Sequence, residues 1–443
     1  MQQGLVIHAP HDLRIQALEC APLQPQQLKV KVKAGGICGS DLHYYHHGGF
    51  GVVRIKEPMV LGHEVSGQIA EVGSAVTDIA PGTRIAISPS RPCGLCKYCQ
   101  EGKQNHCLDM RFYGSAMRTP HVQGAFRQEI IIERSQAHIV TDHVTDGEAA
   151  MAEPLSVALH AVRRAGPLVG KRVLVTGCGP IGALVVVAAR RAGALEVVVT
   201  DVASMPLQAA LQVGADRAIN MAETPDALKA FAADKGTFDV LFEASGNERA
   251  LVGALEALRP QAVIVQVGLG GDIQFPANLL VGKELDWRGA FRFHEEFAMA
   301  VELMNRKLVD VKPLITATYP IAQAVEAFEI AGDRSKMMKV QIRGCRRSLT
   351  RQAARYKFVA KTAGRSSEGG ALWHTAIATP LGGGNHVQAR TSHVDRGSAP
   401  VGADPAGLAG AGRHGRRQLA PDRECLPGGQ LRPGQYGAQR DHA

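Results

Sequence analysis

Four cysteines set the tightest limit on the chemistry available to this chain of 443 residues. They stand in the run Cys93-Gly94-Leu95-Cys96-Lys97-Tyr98-Cys99 and at Cys107, at spacings of three, three and eight residues. Thiolates two residues apart in a tight loop converge on one centre, and four of them form a tetrahedral sulfur cage suited to zinc. Four protein ligands leave no open position, so such a cage holds a lobe in shape and does not catalyse. An iron–sulfur cluster is the main rival, yet no second cysteine run and no proline after Cys107 accompany the motif. Two disulfides would require an oxidising compartment, and the opening MQQGLVIHAP lacks the charged and apolar regions of an export signal. The expectation is a structural zinc in a reducing cytoplasm.

Further candidate ligands precede the cage. Cys38 lies in Gly36-Ile37-Cys38-Gly39-Ser40-Asp41 and His63 in Leu61-Gly62-His63-Glu64, each after an apolar stretch and among glycines. Taken singly, Cys38 also fits a small buried hydrophobe and His63 a hydrogen-bonded loop histidine.

A phosphate cradle follows. Arg172 to Thr176 is an apolar strand, Gly177-Cys178-Gly179-Pro180-Ile181-Gly182 follows it, and a helix-forming run continues through Arg191. In that context the first glycine makes the tight turn, the second admits a pyrophosphate, and the third packs helix on strand. The helix N-terminus supplies free N–H groups and a positive dipole. Asp201, 19 residues beyond Gly182 at the end of the next strand, is placed to accept from ribose hydroxyls and would repel a 2′-phosphate. NAD is therefore expected over NADP, with a helix cap as the alternative role for Asp201. Strands around Val240-Leu241-Phe242 and from Ala262 to Val267 run into Ser245-Gly246 and Gly268-Leu269-Gly270, at the sheet edge where ligands bind.

The elements that must hold these groups fall into three segments. Residues 1–150 read as short strands and glycine- or proline-rich loops, with Gln27 to Ala34 alternating apolar and polar. The pattern turns helical from Glu148 to Arg164 and then alternates strand and helix, a doubly wound α/β sheet over 151–287. Residues 288–344 return to mixed character, with helices expected at His294 to Lys307 and Ile321 to Ala331 and a closing strand at Lys339 to Ile342. A hydrophobic fraction of 45% and mean hydropathy of -0.06 describe a globular chain, and the apolar stretch from Ile181 to Ala189 is too short to cross a bilayer. The net charge of +9 sits wholly in the segment from Cys345 onward, which holds 15 Lys and Arg against 6 Asp and Glu. Residues 1–344 balance at 35 of each, so neither a nucleic-acid partner nor a membrane is expected. Thirteen of those 15 basic residues are Arg, set among Gly, Ala, Pro and Ser without periodicity. Such a segment is expected to be disordered. Out-of-frame reading of GC-rich DNA explains its composition better than a nucleic-acid-binding arm does.

Over about residues 1–344 the chain resembles the zinc-containing medium-chain dehydrogenase/reductase superfamily. The motifs that carry the resemblance are GGICGSDLHYY, GHE, the four-cysteine loop, Ala152-Glu153-Pro154-Leu155-Ser156 and Gly177 to Gly182. Within it the chain is similar to the polyol dehydrogenase branch, because alcohol dehydrogenases carry a second catalytic cysteine where Glu153 stands. The resemblance implies a GroES-like catalytic domain over 1–150, completed by 288–344, beside a Rossmann domain. It implies two zinc ions, the catalytic one held by Cys38, His63 and either Glu64 or Glu153, the other acid holding water. Ser40, His43 and Tyr44 match the segment that handles the proton and a substrate hydroxyl, and homodimers or homotetramers are common in the family. Asp109 to Met117 and Gly289 to Phe293 look like sugar-acid 5-dehydrogenases, which oxidise the C5 hydroxyl of a six-carbon acid to 5-ketogluconate. An arginine fork meets a carboxylate best. Arg111 and Arg292 are the candidates and Arg118 a weaker third; the alternative for each is a snorkelling or phosphate-contacting arginine, and Arg292 also matches a substrate-side arginine of the polyol enzymes, so by itself it does not distinguish acid from polyol. Two other functions stand beside this one: a sorbitol- or xylitol-type polyol dehydrogenase, and a nucleotide-binding protein without catalysis.

Overall fold

A computed structural model of the chain describes residues 1–344; the arginine-rich segment, and every expectation about it, lies outside the described residues. Two sheets dominate. The first has six parallel strands in the spatial order Arg217–Asn220, Glu196–Asp201, Arg172–Thr176, Phe238–Glu243, Leu258–Gln266 and Asp286–Gly289. Its central strands are apolar on both faces, as a parallel sheet covered by helices requires. Val173, Val175, Val197 and Val199 pack on one side, while Leu174, Val198, Leu241 and Ile264 pack on the other. The strand order reverses between Arg172–Thr176 and Phe238–Glu243, the switch point at which such sheets bind ligands.

The second sheet has seven strands. Ala137–Ile139, Arg84–Ile87, Glu64–Val72, Gln27–Gly36, Lys339–Arg343 and Ile315–Pro320 follow one another, and Glu129–Glu133 also pairs with Gln27–Gly36. The register places Gly36 opposite both Glu64 and Gln341, and the Ile37 amide donates to the Val340 carbonyl at 2.9 Å. Three segments distant in sequence thus end at one point, and residues 339–343 complete a sheet begun by residues 27–36.

Several elements are bounded differently from the sequence pattern. The helical stretch from Glu148 to Arg164 is two helices, Asp146–Ala150 and Ala152–Ala165. Pro154 has no N–H to donate to the Ala150 carbonyl, so the ladder breaks there and Glu153 falls in the first turn of the second helix. The expected helix from His294 begins at Glu296 because the Glu296 carboxylate takes the His294 amide (2.9 Å). The helix expected from Ile321 opens with the 3₁₀ turn Ile321–Gln323 before Ala324–Ala331.

Candidate active site

The four-cysteine loop closes on itself. Cys96 and Cys99 sulfurs lie 3.6 Å apart, and the Cys93–Cys99 and Cys96–Cys107 pairs 4.0 Å apart. A tetrahedron with bonds of about 2.3 Å has edges of about 3.8 Å, so the sulfurs are spaced for one zinc-sized ion. That spacing is too long for a disulfide and too compact for a cluster that places each thiolate on a different iron. Amide hydrogens face the sulfurs: Leu95 and Cys96 donate to Cys93 (3.4 and 3.3 Å), Cys93 and Asp109 to Cys107 (3.2 and 3.3 Å). Amides of Leu108 and Cys99 hold the Cys96 thiol down at about 6, while burial pushes the adjoining Cys99 thiol up to about 12, so without a cation the four cannot all be thiolates. Cys96→Ser is expected to lower the zinc content by one ion per chain and to shift the unfolding midpoint clearly downward. Metal analysis with thermal unfolding checks this, and wild-type values for both would remove the cage's structural role.

Cys38, His63 and Glu64 form the second cluster, with one ligand atom of each within 4.8 Å of the others. Sequence left Glu64 and Glu153 equivalent; the structure brings Glu64 into the cluster and leaves Glu153 outside it. Gly36 makes room, since a Cβ there would lie 2.0 Å from Glu64 Oε2. Cys38 caps the helix Gly39–His47, its amide donating to Asp41 Oδ2 (3.0 Å), while Asp41 Oδ1 accepts from the Gly62 amide (3.2 Å). The buried Asp41 carboxylate thus ties the Cys38 loop to the His63 loop. Burial and then Glu64 push the Cys38 thiol up to about 12, and burial pushes the Glu153 carboxyl up to about 8. His63 Nδ1 is buried without a hydrogen-bond partner. A pocket rich in anionic donors, with an orphaned imidazole nitrogen, fits a divalent cation, which would favour the charged forms of these groups.

Sequence reasoning missed Lys339. It is 3% exposed, donates to both Glu64 oxygens (2.7 and 2.8 Å) and to the Ile37 carbonyl (3.1 Å), and is the cation closest to the cluster. The signal was a lysine opening an apolar strand. Of the proton-handling candidates, the Ser40 hydroxyl lies beside the Cys38 sulfur, and His43 is exposed on the same helix with its ring 6.0 Å from that of His47. Tyr44 is buried, its hydroxyl accepting from the Ala116 amide at 3.0 Å.

The phosphate cradle has the expected form. Gly177 has a φ of +83°, and a Cβ on Gly182 would come within 1.8 Å of the Gly177 carbonyl oxygen. Gly179 caps the helix Pro180–Arg191, with Pro180 and Ile181 in its first turn. Asp201 accepts from the Cys178 amide (2.7 Å) and from Val202 and Ala203 (2.7 and 3.0 Å), so it braces the cradle without being the cap residue of helix Ser204–Gln212, which is Ala203. A second residue missed in the sequence is Glu243, the acid ending an apolar strand. Fully buried, it accepts from the amides of Ser245 (2.8 Å) and Gly246 (3.1 Å) and from Gln266 Nε2 (2.6 Å), and so knits the Ser245-Gly246 loop to the loop at Gly268.

The arginines separate. Arg118 is paired with Asp109. Arg111 is exposed, its side chain with no hydrogen bond or ion pair among the described residues, while Phe112, next on the same strand, turns inward to face the His63 ring at 5.6 Å. Arg292 lies over that same Phe112 ring, at 4.5 Å, and donates to Met117 Sδ (3.0 Å). Among the described residues no carboxylate oxygen lies within salt-bridge distance of its guanidinium, although Glu153 and Tyr44 are near enough to favour its charge against burial.

Comparison with known proteins agrees with this architecture. Residues 24–142 match the alcohol dehydrogenase GroES-like domain and residues 180–306 the zinc-binding dehydrogenase domain. The chain belongs to the zinc-binding medium-chain dehydrogenases, a family of oxidoreductases, with a GroES-like part and a parallel Rossmann sheet. It is 45% identical over 314 residues to the L-idonate 5-dehydrogenase (NAD(P)(+)) of Escherichia coli strain K12, covering 71% of this chain and 90% of that one. It is 35% identical over 345 residues to the sorbitol dehydrogenase of Bacillus subtilis, covering 77% and 96%. The crystal structure of the L-idonate 5-dehydrogenase from Escherichia coli K-12 superimposes with a TM-score of 0.74 and 41% identity, over 77% of this chain and 98% of that one. Its relatives place it among the polyol and sugar-acid dehydrogenases of the family. No helix among the described residues is long and apolar enough to cross a membrane.

Proposed function

We propose that the protein transfers a hydride between NAD and the C5 secondary alcohol of a six-carbon sugar acid, interconverting L-idonate and 5-keto-D-gluconate. The observation that carries this reading is Arg292, a cation without a carboxylate partner one aromatic ring away from His63. Holding a guanidinium in such a place costs desolvation, which an anionic substrate group offsets by forming a bidentate pair. The similarity to an L-idonate 5-dehydrogenase supports the same substrate.

In this reading Cys38, His63 and Glu64 hold the catalytic zinc, and the four-cysteine cage holds a second. The catalytic ion, when bound, supplies Lewis-acid polarisation of the alcohol oxygen. The chain does the rest. Lys339 fixes the Glu64 carboxylate, and Asp41 fixes the backbone around Cys38 and His63. Ser40 takes the hydroxyl proton toward the ribose and His43, Tyr44 shapes the pocket wall, and Glu153 orients water. Gly177, Gly179, Pro180, Ile181, Gly182 and Gly268 frame the cofactor, and Asp201 accepts from its ribose. The residue boundaries 1–150, 151–287 and 288–344 divide catalytic from cofactor-binding parts, and the assembly is a homodimer or homotetramer.

The test is NADH formation or consumption by the zinc-loaded protein, in parallel on L-idonate, 5-ketogluconate, sorbitol and xylitol. Preference for the acid pair is expected; preference for the neutral polyols would remove the carboxylate reading and leave a polyol dehydrogenase. Asp201→Ala is expected to weaken NAD binding by about tenfold while changing NADP binding less, since a lost charge-assisted hydrogen bond is worth about 1.5–3 kcal/mol. Titration with both cofactors checks it, and an unchanged ratio would reduce Asp201 to a brace for the cradle.

A further inference from the structure

The Arg292 guanidinium is held by parts that belong to a lobe far away in sequence. Arg292 has a φ of +55°, a conformation that a residue with a side chain keeps only when its surroundings impose it. On one side the loop is fixed by the sheet, the Ala290 amide donating to the Gln266 carbonyl (3.0 Å), and on the other by Phe293, fully buried in the core. Between them the backbone is pinned from the cysteine lobe. Asn105 is 8% exposed, and its Nδ2 donates to the Phe291 carbonyl at 3.0 Å, 186 residues away. The His106 ring stacks on Phe291 at 6.2 Å and 29°. Both residues sit in the 3₁₀ turn Gln104–His106, which leads directly into the cage ligand Cys107. From Cys107 the chain runs to Phe112, the ring beneath the guanidinium.

We propose that Asn105 is a positioning residue for substrate binding: anchored by the cysteine lobe, it fixes the Phe291 carbonyl and so aims Arg292 at the place where the substrate's carboxylate binds. This rests on the reading of Arg292 as the carboxylate partner. The lobe then has a role besides stability. It carries a strut, Asn105 with His106, and a floor, Phe112, for the substrate-side guanidinium of Arg292. A hydrogen bond to a backbone carbonyl imposes the position of that carbonyl while leaving the Phe291 side chain free to pack, so its loss acts on the geometry of the next residue more than on the fold.

The experiment compares Asn105→Leu, Arg292→Met and the double variant, with KM and kcat on L-idonate, zinc content and unfolding midpoint. Asn105→Leu keeps the side-chain shape and removes the donor. It is expected to raise KM for L-idonate about tenfold, with kcat within about twofold and zinc content as in the wild type, since one hydrogen bond's loss corresponds to about one power of ten. Arg292→Met is expected to raise KM by at least as much, and Asn105→Leu to add nothing in the Arg292→Met background. An unchanged KM in Asn105→Leu, or the same factor repeated in the double variant, overturns the positioning role while leaving Arg292 as the carboxylate partner. An unchanged KM in Arg292→Met overturns both. Should Asn105→Leu lose zinc, Asn105→Asp, which keeps the side-chain size and has no N–H to donate to the Phe291 carbonyl, decides: a KM rise that vanishes in the Arg292→Met background supports the strut, and an unchanged KM or a rise that persists overturns it.

Discussion

A His63→Ala variant is expected to lose at least about four powers of ten in kcat while retaining the fold. A secondary alcohol has an acidity near that of water, and a bound zinc lowers the pKa of water from 15.7 to about 7, a difference worth about 12 kcal/mol. Losing half of that costs about four powers of ten in rate. The remaining donors do not compensate. Burial pushes the Cys38 thiol up to about 12, so without a well-held cation it favours its neutral form and binds metal poorly, and both Glu64 oxygens are already engaged by Lys339. The fold is expected to survive because His63 Nδ1 makes no hydrogen bond, its one charged neighbour Asp41 (3.8 Å) keeps the amides of Cys38 and Gly62, and the neighbouring Phe112 ring is also packed on Phe293. Turnover with zinc content is the measurement. A variant that keeps more than about a tenth of wild-type kcat would remove His63 from the catalytic centre.

Lys339→Met is expected to destabilise the protein by about 3–5 kcal/mol, the usual cost of removing one partner from a buried ion pair. Lys339 and Glu64 are 3% and 1% exposed, and the ammonium contacts both carboxylate oxygens. The methionine fills similar volume but leaves a carboxylate in an apolar, anion-rich setting. Burial pushes Lys339 down, yet Glu64 and Cys38 outweigh it, and its net shift is upward. Such a group stabilises the fold fully below its unfolded pKa near 10.4, and the stabilisation fades as pH rises through the still higher folded value. The deficit of Lys339→Met should therefore be constant across neutral pH and shrink only in strong alkali. The double variant Lys339→Met with Glu64→Gln should recover a large part of the loss, because no unpaired charge remains. Urea unfolding at pH 7 checks both. A Lys339→Met midpoint equal to the wild type would mean that Glu64 is neutral or has another counter-ion.

Much of this was legible from residues alone because local chemistry decides it. The cage follows from four thiols within 15 residues, and the cradle from glycines between an apolar strand and a helix. Both are short-range: the ligating atoms come from one loop, so spacing along the chain is close to spacing in space. The central strands were legible for a related reason, since a strand buried on both faces must be apolar throughout. Helix ends were less so. Pro154 breaks one expected helix in two, and Glu296 moves the start of another by taking the His294 amide.

What the sequence by itself determined was which groups exist and which local geometries they form: a sulfur cage, a phosphate cradle, and loops bearing Cys38, His63 and two acids. Which distant groups meet was decided only by the tertiary structure. The choice of Glu64 over Glu153 for the cluster depends on Gly36 lying opposite Glu64 in the sheet. The Lys339 counter-ion depends on a C-terminal strand pairing with residues 34–36. The difference between Arg111 and Arg292 depends on strand alternation, which turns Phe112 inward and its neighbour out, and on a backbone strut from Asn105. Register and long-range packing set these meetings, and neither is encoded in spacing along the chain, because a one-residue slip would exchange every inward side chain for an outward one.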